Sequence, residues 1–308
     1  DDVRALALQA RKYPNVDMPT AITQIAGRQV AAEKIPSWRD TDDIWYPKHL
    51  SLEQCSSEVT ARYKATLLKG NSLTDLTGGF GIDCAFLAAR FKSATYVERQ
   101  QELCEIAAHN FPILNLNHIN VKNEDGVSYL QAMSPVDCIF LDPARRNEHG
   151  GKTVAISDCE PDVAELEELL LNKAGQVMVK LSPMLDLSLA LKELQHVQEV
   201  HIISANNECK ELLLILGQAS VEEISIHCVN LPTKGIQEEQ HFVFTREQEQ
   251  CSECNYTNVL ENYLYEPNAS LLKAGAFRSI ASAFPVKKLH PNSHLYTSDV
   301  LVESFPGR

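Results

Sequence analysis

The chain has 308 residues, of which 44% are hydrophobic and 22% are charged, and its formal net charge is −13. This composition is typical of a globular protein with one large core and one or two smaller modules. No run of about 18 uncharged apolar residues is present, so we expect no membrane span and no membrane partner. The first residues lack the basic and apolar segments of a secretory signal peptide.

The charge is unevenly distributed along the chain. Residues 268–308 carry five basic and two acidic side chains, whereas residues 51–267 carry 16 basic and 32 acidic ones. The net charge argues against a protein that coats nucleic acid by charge alone. A basic C-terminal module could still hold a polyanion locally, and an ordinary solvated surface explains the same pattern equally well.

Nine cysteines, an odd number, lie scattered through the chain, many of them in apolar or helical stretches. This usage predicts reduced thiols and a cytoplasmic protein rather than a disulfide framework. Cys251 and Cys254 are the only close pair in the sequence, and no second pair or histidines at ligand spacing follow them. We therefore expect no metal site there or elsewhere in the chain.

Apolar residues at helical spacing predict two N-terminal helices, residues 18–36 and 51–68, which are separated by an aromatic loop. From Ser72 onward, short strand-like and helical segments alternate. The strands are predicted at residues 72–77, 94–98, 119–123, 136–143 and 175–183, and the helices at 81–91, 99–114, 125–133, 162–174 and 185–195. This alternation predicts a parallel sheet with helices on both faces.

Two further strands, residues 197–205 and 211–217, are joined by a short polar connection. Such a connection can close a hairpin but cannot hold a crossover helix. The sequence therefore predicts a doubly wound α/β fold whose seven-stranded sheet ends in an antiparallel hairpin. Beyond it, residues 223–231 and 239–247 predict another strand pair, and a shorter α/β stretch follows.

The first strand of the predicted sheet ends in Asp75, and a glycine-rich turn follows it. Asp75, Gly79 and Gly81 form the pattern D-x-x-x-G-x-G, and Cys84 stands where a dinucleotide fingerprint needs its third glycine. Such a turn can pass close to an adenosyl-methionine moiety and direct backbone amides to its carboxylate. A plain strand-to-helix turn is the alternative.

Acidic residues also follow the next two predicted strands. Glu98 ends the second strand, where it can accept both ribose hydroxyls, and Asp125 follows the third, where it can accept the adenine amino group. Each can instead cap the helix that follows it. Acids at the corresponding ends of three successive strands favour the ligand role.

The fourth strand ends in the segment F-L-D-P-A-R-R, residues 140–146. This segment resembles motif IV of class I methyltransferases that act on nitrogen or on nucleic-acid bases, commonly D-P-P-[YF] or D-P-P-R. The resemblance implies that the Asp142 side chain and the Pro143 carbonyl accept hydrogen bonds from the target group and align it for methyl transfer. No aromatic residue is available here to stack on a flipped base. Arg145 and Arg146 are candidates for holding a phosphate or for pairing with the acidic surface.

Other polar and thiol side chains are weaker candidates. Cys138 and Cys159 are possible nucleophiles for C5-pyrimidine methylation, although neither belongs to the D-P motif. Lys180, in the fifth strand, is expected near the same crevice as the D-P motif. A packing or solubility role explains this lysine equally well. Four residues before the first strand are candidates for lining the methionine end of the cofactor, and an amphipathic helix explains them nearly as well: Ser57, Glu58, Thr60 and Lys64.

Together, the segments EQCSSEVTARYK, DLTGGFGID, YVE, LDPARR, VKLSP, NNECKELLLILG and YEPNASLLKAGAF resemble bacterial class I methyltransferases with a C-terminal THUMP-like domain. The resemblance covers about residues 22–308. The implied organisation is an N-terminal helical segment (1–50), an S-adenosylmethionine-binding methyltransferase domain (51–220), a small ferredoxin-like element (221–265) and a THUMP-like module (266–308). We expect this module to continue beyond Arg308.

The resemblance also implies the cofactor, the partner and the residues that bind them. The cofactor is S-adenosylmethionine, and its expected ligands are Asp75, Thr77, Gly79, Gly81, Glu98, Asp125 and Asp142. The partner is RNA, because true THUMP domains help to bind RNA. The expected RNA-binding residues are Arg145, Arg146, Lys273, Arg278, Lys287 and Lys288.

The sequence thus predicts an S-adenosylmethionine-dependent methyltransferase that methylates a base nitrogen of tRNA or rRNA. A methyltransferase that acts on a small molecule or a protein is an alternative, and the negative charge suits such a substrate better. A non-catalytic RNA-binding protein that retains the fold is another. Cys84 and the terminal hairpin disfavour a nicotinamide-dependent dehydrogenase.

Overall fold

The structure is a computed structural model, and it describes residues 3–145, 155–232 and 238–308. The chain divides into two compact units, and each is described by itself. The first unit comprises residues 1–141 together with Asn172–Gly175, and the second comprises residues 142–171 and 176–308.

The first unit begins with helices and continues as alternating strands and helices, as predicted, although the helix predicted at residues 51–68 is interrupted at residues 55–57. Its elements are α1 (Val3–Leu8), α2 (Met18–Lys34), α3 (Pro36–Arg39), α4 (His49–Gln54), α5 (Glu58–Leu67), β1 (Ser72–Asp75), α6 (Ile82–Ala88), β2 (Ser93–Glu98), α7 (Gln101–Ile113), β3 (Ile119–Asn123), α8 (Gly126–Ala132) and β4 (Val136–Leu141).

The four strands of the first unit form a parallel ladder in the order β4-β1-β2-β3. Leu73 of β1 pairs with Ala94 of β2 on one side and with Cys138 of β4 on the other. Because these strands are parallel, their carboxyl ends lie at one edge of the ladder. That edge is where open α/β sheets bind their ligands.

The core of the first unit includes aromatic residues from the N-terminal segment. Trp38 and Tyr46 are buried, and their rings lie 5.1 and 6.3 Å from the ring of Phe80 in the glycine-rich turn. The buried Asn110 of α7 accepts the Trp45 amide and donates to the Trp45 carbonyl, both at 2.8 Å. The predicted aromatic loop therefore packs against the turn.

The second unit contains most of the remaining elements. They are β5 (Ala144–Arg145), β6 (Cys159–Glu160), α9 (Val163–Lys173), β7 (Ala174–Leu181), α10 (Leu187–Glu193), β8 (Val197–Ala205), β9 (Glu208–Gly217), β10 (Ser225–Leu231), β11 (Gln240–Phe244), α11 (Arg246–Cys251), β12 (Tyr263–Tyr265), α12 (Ala269–Ala274), α13 (Phe277–Ala283), β13 (Lys287–Lys288) and β14 (Tyr296–Ser298).

Five strands of this unit form a ladder in the order β7-β9-β8-β10-β11. Strand β9 is antiparallel to both β7 and β8, so the predicted hairpin is confirmed, although it does not end the sheet. Strand β10 is parallel to β8 and antiparallel to β11. The predicted later strand pair therefore extends the sheet beyond the hairpin, because the open edge of β8 pairs with β10. The mixed α/β fold with a large, mainly parallel sheet is confirmed.

The C-terminal part of the second unit has its own antiparallel sheet, in the order β12-β14-β13. Glu249 of α11 accepts hydrogen bonds from the amides of Phe277, Arg278 and Ser279 at 2.8–3.0 Å. This carboxylate therefore caps the start of α13.

Among the described residues, no helix is long and apolar enough to span a bilayer.

The buried carboxylate of Glu167 is expected to stabilise the second unit. It accepts hydrogen bonds from the amides of Gln195 and His196 at 2.8–3.1 Å. We expect Glu167→Ala to lower the free energy of unfolding by about 1–3 kcal/mol, since both amides lose their acceptor. Chemical denaturation measures this loss, with the exposed neighbour Glu168→Ala as the control. Equal losses of unfolding free energy in the two variants would contradict the stabilising role of Glu167.

Candidate active site

The turn between β1 and α6 depends on two glycines in the left-handed region, Gly79 with φ 54° and Gly81 with φ 89°. A Cβ on Gly81 would lie 3.0 Å from the Phe111 ring. A Cβ on Gly79 would meet only the Thr77 carbonyl oxygen, at 3.8 Å. The turn is therefore packed against the core at Gly81 and is open at Gly79.

Glu98, at the end of β2, holds this turn in place. Its Oε2 accepts the Gly79 amide at 2.9 Å, and its Oε1 accepts the Gln100 amide at 2.8 Å. The Tyr96 hydroxyl donates to the Gly79 carbonyl. An ionised carboxylate has about four acceptor sites, so these two bonds leave capacity for hydroxyl donors.

Two other predicted acids also bond to nearby backbone amides. Asp75 is buried and accepts the Thr77 amide at 3.0 Å. Asp125 is exposed and caps α8, because its Oδ1 accepts the amides of Val127 and Ser128 at 3.1 and 2.9 Å. Capping, the alternative considered for Asp125, is therefore present. Because Asp125 is exposed, its carboxylate remains accessible to a ligand.

A buried ion pair connects α5 with α6, the helix that follows the glycine turn. Lys64 is fully buried, and its Nζ lies 2.8 Å from Ser56 Oγ and 2.9 Å from Asp83 Oδ1. Ser56 Oγ donates to Asp83 Oδ2 at 2.7 Å. Lys64 therefore positions the start of α6. No local sequence pattern points to Ser56 or Asp83, because the partners come from separate segments.

The other three candidates upstream of β1 form helix-end and packing contacts. Ser57 is the N-cap of α5 and accepts the Thr60 amide at 3.4 Å. Thr60 itself is buried. Glu58 accepts the Ser37 amide at 2.9 Å and pairs with Arg62. These contacts are those of an amphipathic helix.

In the second unit, the D-P motif begins directly after β4. Lys180 of β7 donates a hydrogen bond from Nζ to Asp142 Oδ2. The Lys180 side chain is 11% exposed and that of Asp142 is 37% exposed, while Pro143 is buried. A charge-assisted bond of this kind fixes the orientation of the carboxylate. Lys180, to which the sequence assigned no definite role, is thus the partner of Asp142.

The remaining candidates near this motif are described only in part. Arg146 and the side chain of Arg145 lie outside the described residues. Burial raises the pKa of the Cys138 thiol to about 11, so it is protonated at neutral pH and is a poor nucleophile. Cys159 is 1% exposed and pairs in β6 with the backbone of β5.

Four of the six basic residues predicted to bind RNA make contacts within the second unit. Lys288 is 3% exposed and donates to the Pro291 carbonyl at 2.9 Å. The other contacts are those of Lys273 with the Leu185 carbonyl at 2.9 Å, Arg278 with the Gln250 carbonyl at 2.8 Å, and Lys287 with the Glu261 carboxylate. Arg278 and Lys287 remain exposed, whereas Lys288 is a buried structural residue.

The buried ion pair of Lys64 predicts a large effect on stability. We expect Lys64→Met to lower the free energy of unfolding by about 3–5 kcal/mol, because Asp83 would remain as a buried charge without its cation. Chemical denaturation measures the change, with Lys69→Met as the matched control at an exposed position. A loss no greater than that of the control would show that the pair does not stabilise this part of the fold.

Comparisons with known proteins support a methyltransferase. The family model of protein-L-isoaspartate(D-aspartate) O-methyltransferase matches residues 32–147, and a model described as a ferredoxin-like domain matches residues 263–306. The ferredoxin-like match lies C-terminal to the element predicted at 221–265. No curated protein matches the chain significantly.

Several of the matching solved structures cover only about half of this chain. An rRNA methylase of Streptococcus thermophilus is 15% identical over 52% of this chain and 96% of its own, with a TM-score of 0.39. A protein of Streptococcus mutans, described as a "putative methyltransferase" in complex with SAH, is 14% identical over 52% of this chain and 96% of its own, with a TM-score of 0.38. Likeness at this level does not bear on the substrate of this chain.

A third solved structure matches the full length of this chain. It is a protein of Porphyromonas gingivalis W83, described as a "putative methyltransferase", and it is 36% identical over 100% of this chain and 80% of its own. The TM-score is 0.86. The chain therefore belongs to the same family as the Porphyromonas gingivalis protein, a family with a methyltransferase fold and a C-terminal ferredoxin-like domain.

Proposed function

We propose that this protein is an S-adenosylmethionine-dependent methyltransferase. The observation that carries the proposal is the Glu98 carboxylate, which is hydrogen-bonded to the Gly79 amide where parallel strands β1 and β2 end. A glycine turn that is open on one side, next to a carboxylate with acceptor capacity, suits a nucleoside with vicinal hydroxyls. The family comparison supports the same chemistry.

The residues of the first unit fit this cofactor. The open space at Gly79 admits a ligand close to the backbone, and Glu98 would accept the ribose hydroxyls. Asp125, exposed at the start of α8, would accept the adenine amino group. Asp75 and Thr77 would maintain the shape of the turn through their mutual hydrogen bond. When bound, the cofactor supplies an electrophilic methyl group.

Asp142 and Pro143 would position the nucleophile. The Asp142 carboxylate and the Pro143 carbonyl would accept hydrogen bonds from an amino group of the substrate and direct its lone pair. Lys180 would act as a positioning residue by holding the Asp142 carboxylate in one orientation. The rate would come chiefly from alignment, because methyl transfer to an amino nitrogen needs little acid–base catalysis.

For the substrate, we propose a base nitrogen of tRNA or rRNA, on the resemblance of the D-P motif to enzymes that act on nitrogen. A protein or small-molecule substrate is the second candidate. It is favoured by the net charge of −13 and by the local contacts of Lys273, Arg278, Lys287 and Lys288. Cytoplasmic location stays a prediction.

Cofactor binding can be measured by calorimetry with S-adenosylhomocysteine, the stable demethylated form. We expect Glu98→Gln and Asp125→Asn each to weaken binding at least tenfold, because hydrogen bonds to charged groups contribute about 1.5–3 kcal/mol. The control is Glu105→Gln, an exposed carboxylate on α7. Thermal unfolding of each variant shows whether the turn is still formed. No binding by the wild type would overturn the proposal.

The substrate can be identified with a labelled methyl donor and separate RNA, protein and small-molecule fractions. We expect label in RNA, and we expect Asp142→Ala and Lys180→Met to reduce the rate about 100-fold through misalignment. Glu168→Ala is the control. Label in protein or in small molecules would overturn the RNA assignment. Cofactor binding without label in any fraction would indicate a non-catalytic protein.

A further inference from the structure

Three neighbouring strands of the second unit place histidines on one face of the sheet. His201 of β8 and His227 of β10 are directly paired in register. His241 of β11 pairs with Val229, which is two residues along β10 from His227. Because side chains alternate along a strand and paired residues share a face, all three imidazoles lie on the same side.

The imidazoles and one carboxylate are close together. The rings of His201 and His227 stack with their centroids 4.3 Å apart, and His227 Nδ1 lies 3.2 Å from His241 Nε2. Glu199 is two residues before His201 on the same face, and its Oε2 is 3.1 Å from His201 Nε2. One ligand atom from each of Glu199, His201 and His227 lies within 4.8 Å of the others.

This donor set is one that metal ions prefer. Two imidazoles and one carboxylate form the His₂Glu set of several zinc sites, in which a fourth position stays open. Imidazole nitrogen suits the borderline divalent ions, and zinc imposes little geometric preference of its own. Histidine binds metals through the neutral imidazole.

We propose that Glu199, His201 and His227 form a site for a divalent transition-metal ion of the zinc type. His241 lies beside this set, with its Nε2 3.2 Å from His227 Nδ1. His201 is 2% exposed, whereas the Glu199 side chain is 47% exposed. The site is therefore anchored in the sheet on one side and accessible to an ion from solvent on the other. It is independent of the proposed methyl transfer.

The test uses the full chain after removal of metals with a chelator. Zn²⁺ affinity is measured by competition with a chromophoric chelator for the wild type, His227→Ala and Glu199→Gln. We expect one Zn²⁺ per chain at this site, and at least tenfold weaker binding in both variants. His290→Ala, at an exposed histidine, serves as the matched control and should bind like the wild type.

The cysteines need a separate control, because Cys251 and Cys254 are the close pair that the sequence offers. A variant with Cys251→Ser and Cys254→Ser should retain full affinity. Co²⁺ binding should give a visible spectrum without thiolate charge-transfer bands. Equal affinity in the wild type, His227→Ala and Glu199→Gln would overturn the proposal. Loss of the ion in the double cysteine variant, or no Zn²⁺ bound by the wild type, would overturn it as well.

Discussion

The hydrogen bond from the Gly79 amide to the Glu98 carboxylate is the contact on which the candidate cofactor site depends. It ties the turn after β1 to the end of β2, and the parallel register of those strands makes it possible. Because Gly79 and Gly81 both have positive φ, the turn can approach the carboxylate without strain. Phe80, between them, packs against Trp38, so the N-terminal segment supports the same turn from the core side.

Two lysines with little exposure, Lys64 and Lys180, each form an ion pair with a carboxylate. Lys64, Ser56 and Asp83 fix the start of α6 through a buried network. Such a network is costly to break, because the remaining charge has no solvent to stabilise it. The pair of Lys180 with Asp142 is more exposed on the carboxylate side. This difference suits a structural role for the first pair and a role in substrate positioning for the second.

Several features could not be predicted from sequence patterns, because the residues that form them are far apart in the chain. The cap of α13 comes from Glu249, and the histidine cluster joins β8, β10 and β11. Metal motifs are recognised by local spacing, which strands brought together by pairing do not show. Lys288 illustrates the opposite case, since a basic residue in a basic stretch was expected on the surface and is buried beside Phe277. Composition records charge but not exposure.

The sequence by itself determined the order and type of the elements, because hydrophobic periodicity and turn residues are local signals. The predicted strands, the hairpin of β8 and β9 and the glycine turn were all found close to their expected positions. Only the tertiary structure decided that β10 adds to the edge of β8 and that Lys180 pairs with Asp142. These outcomes depend on which backbone edges and charges meet after the chain has packed, and local patterns do not encode that.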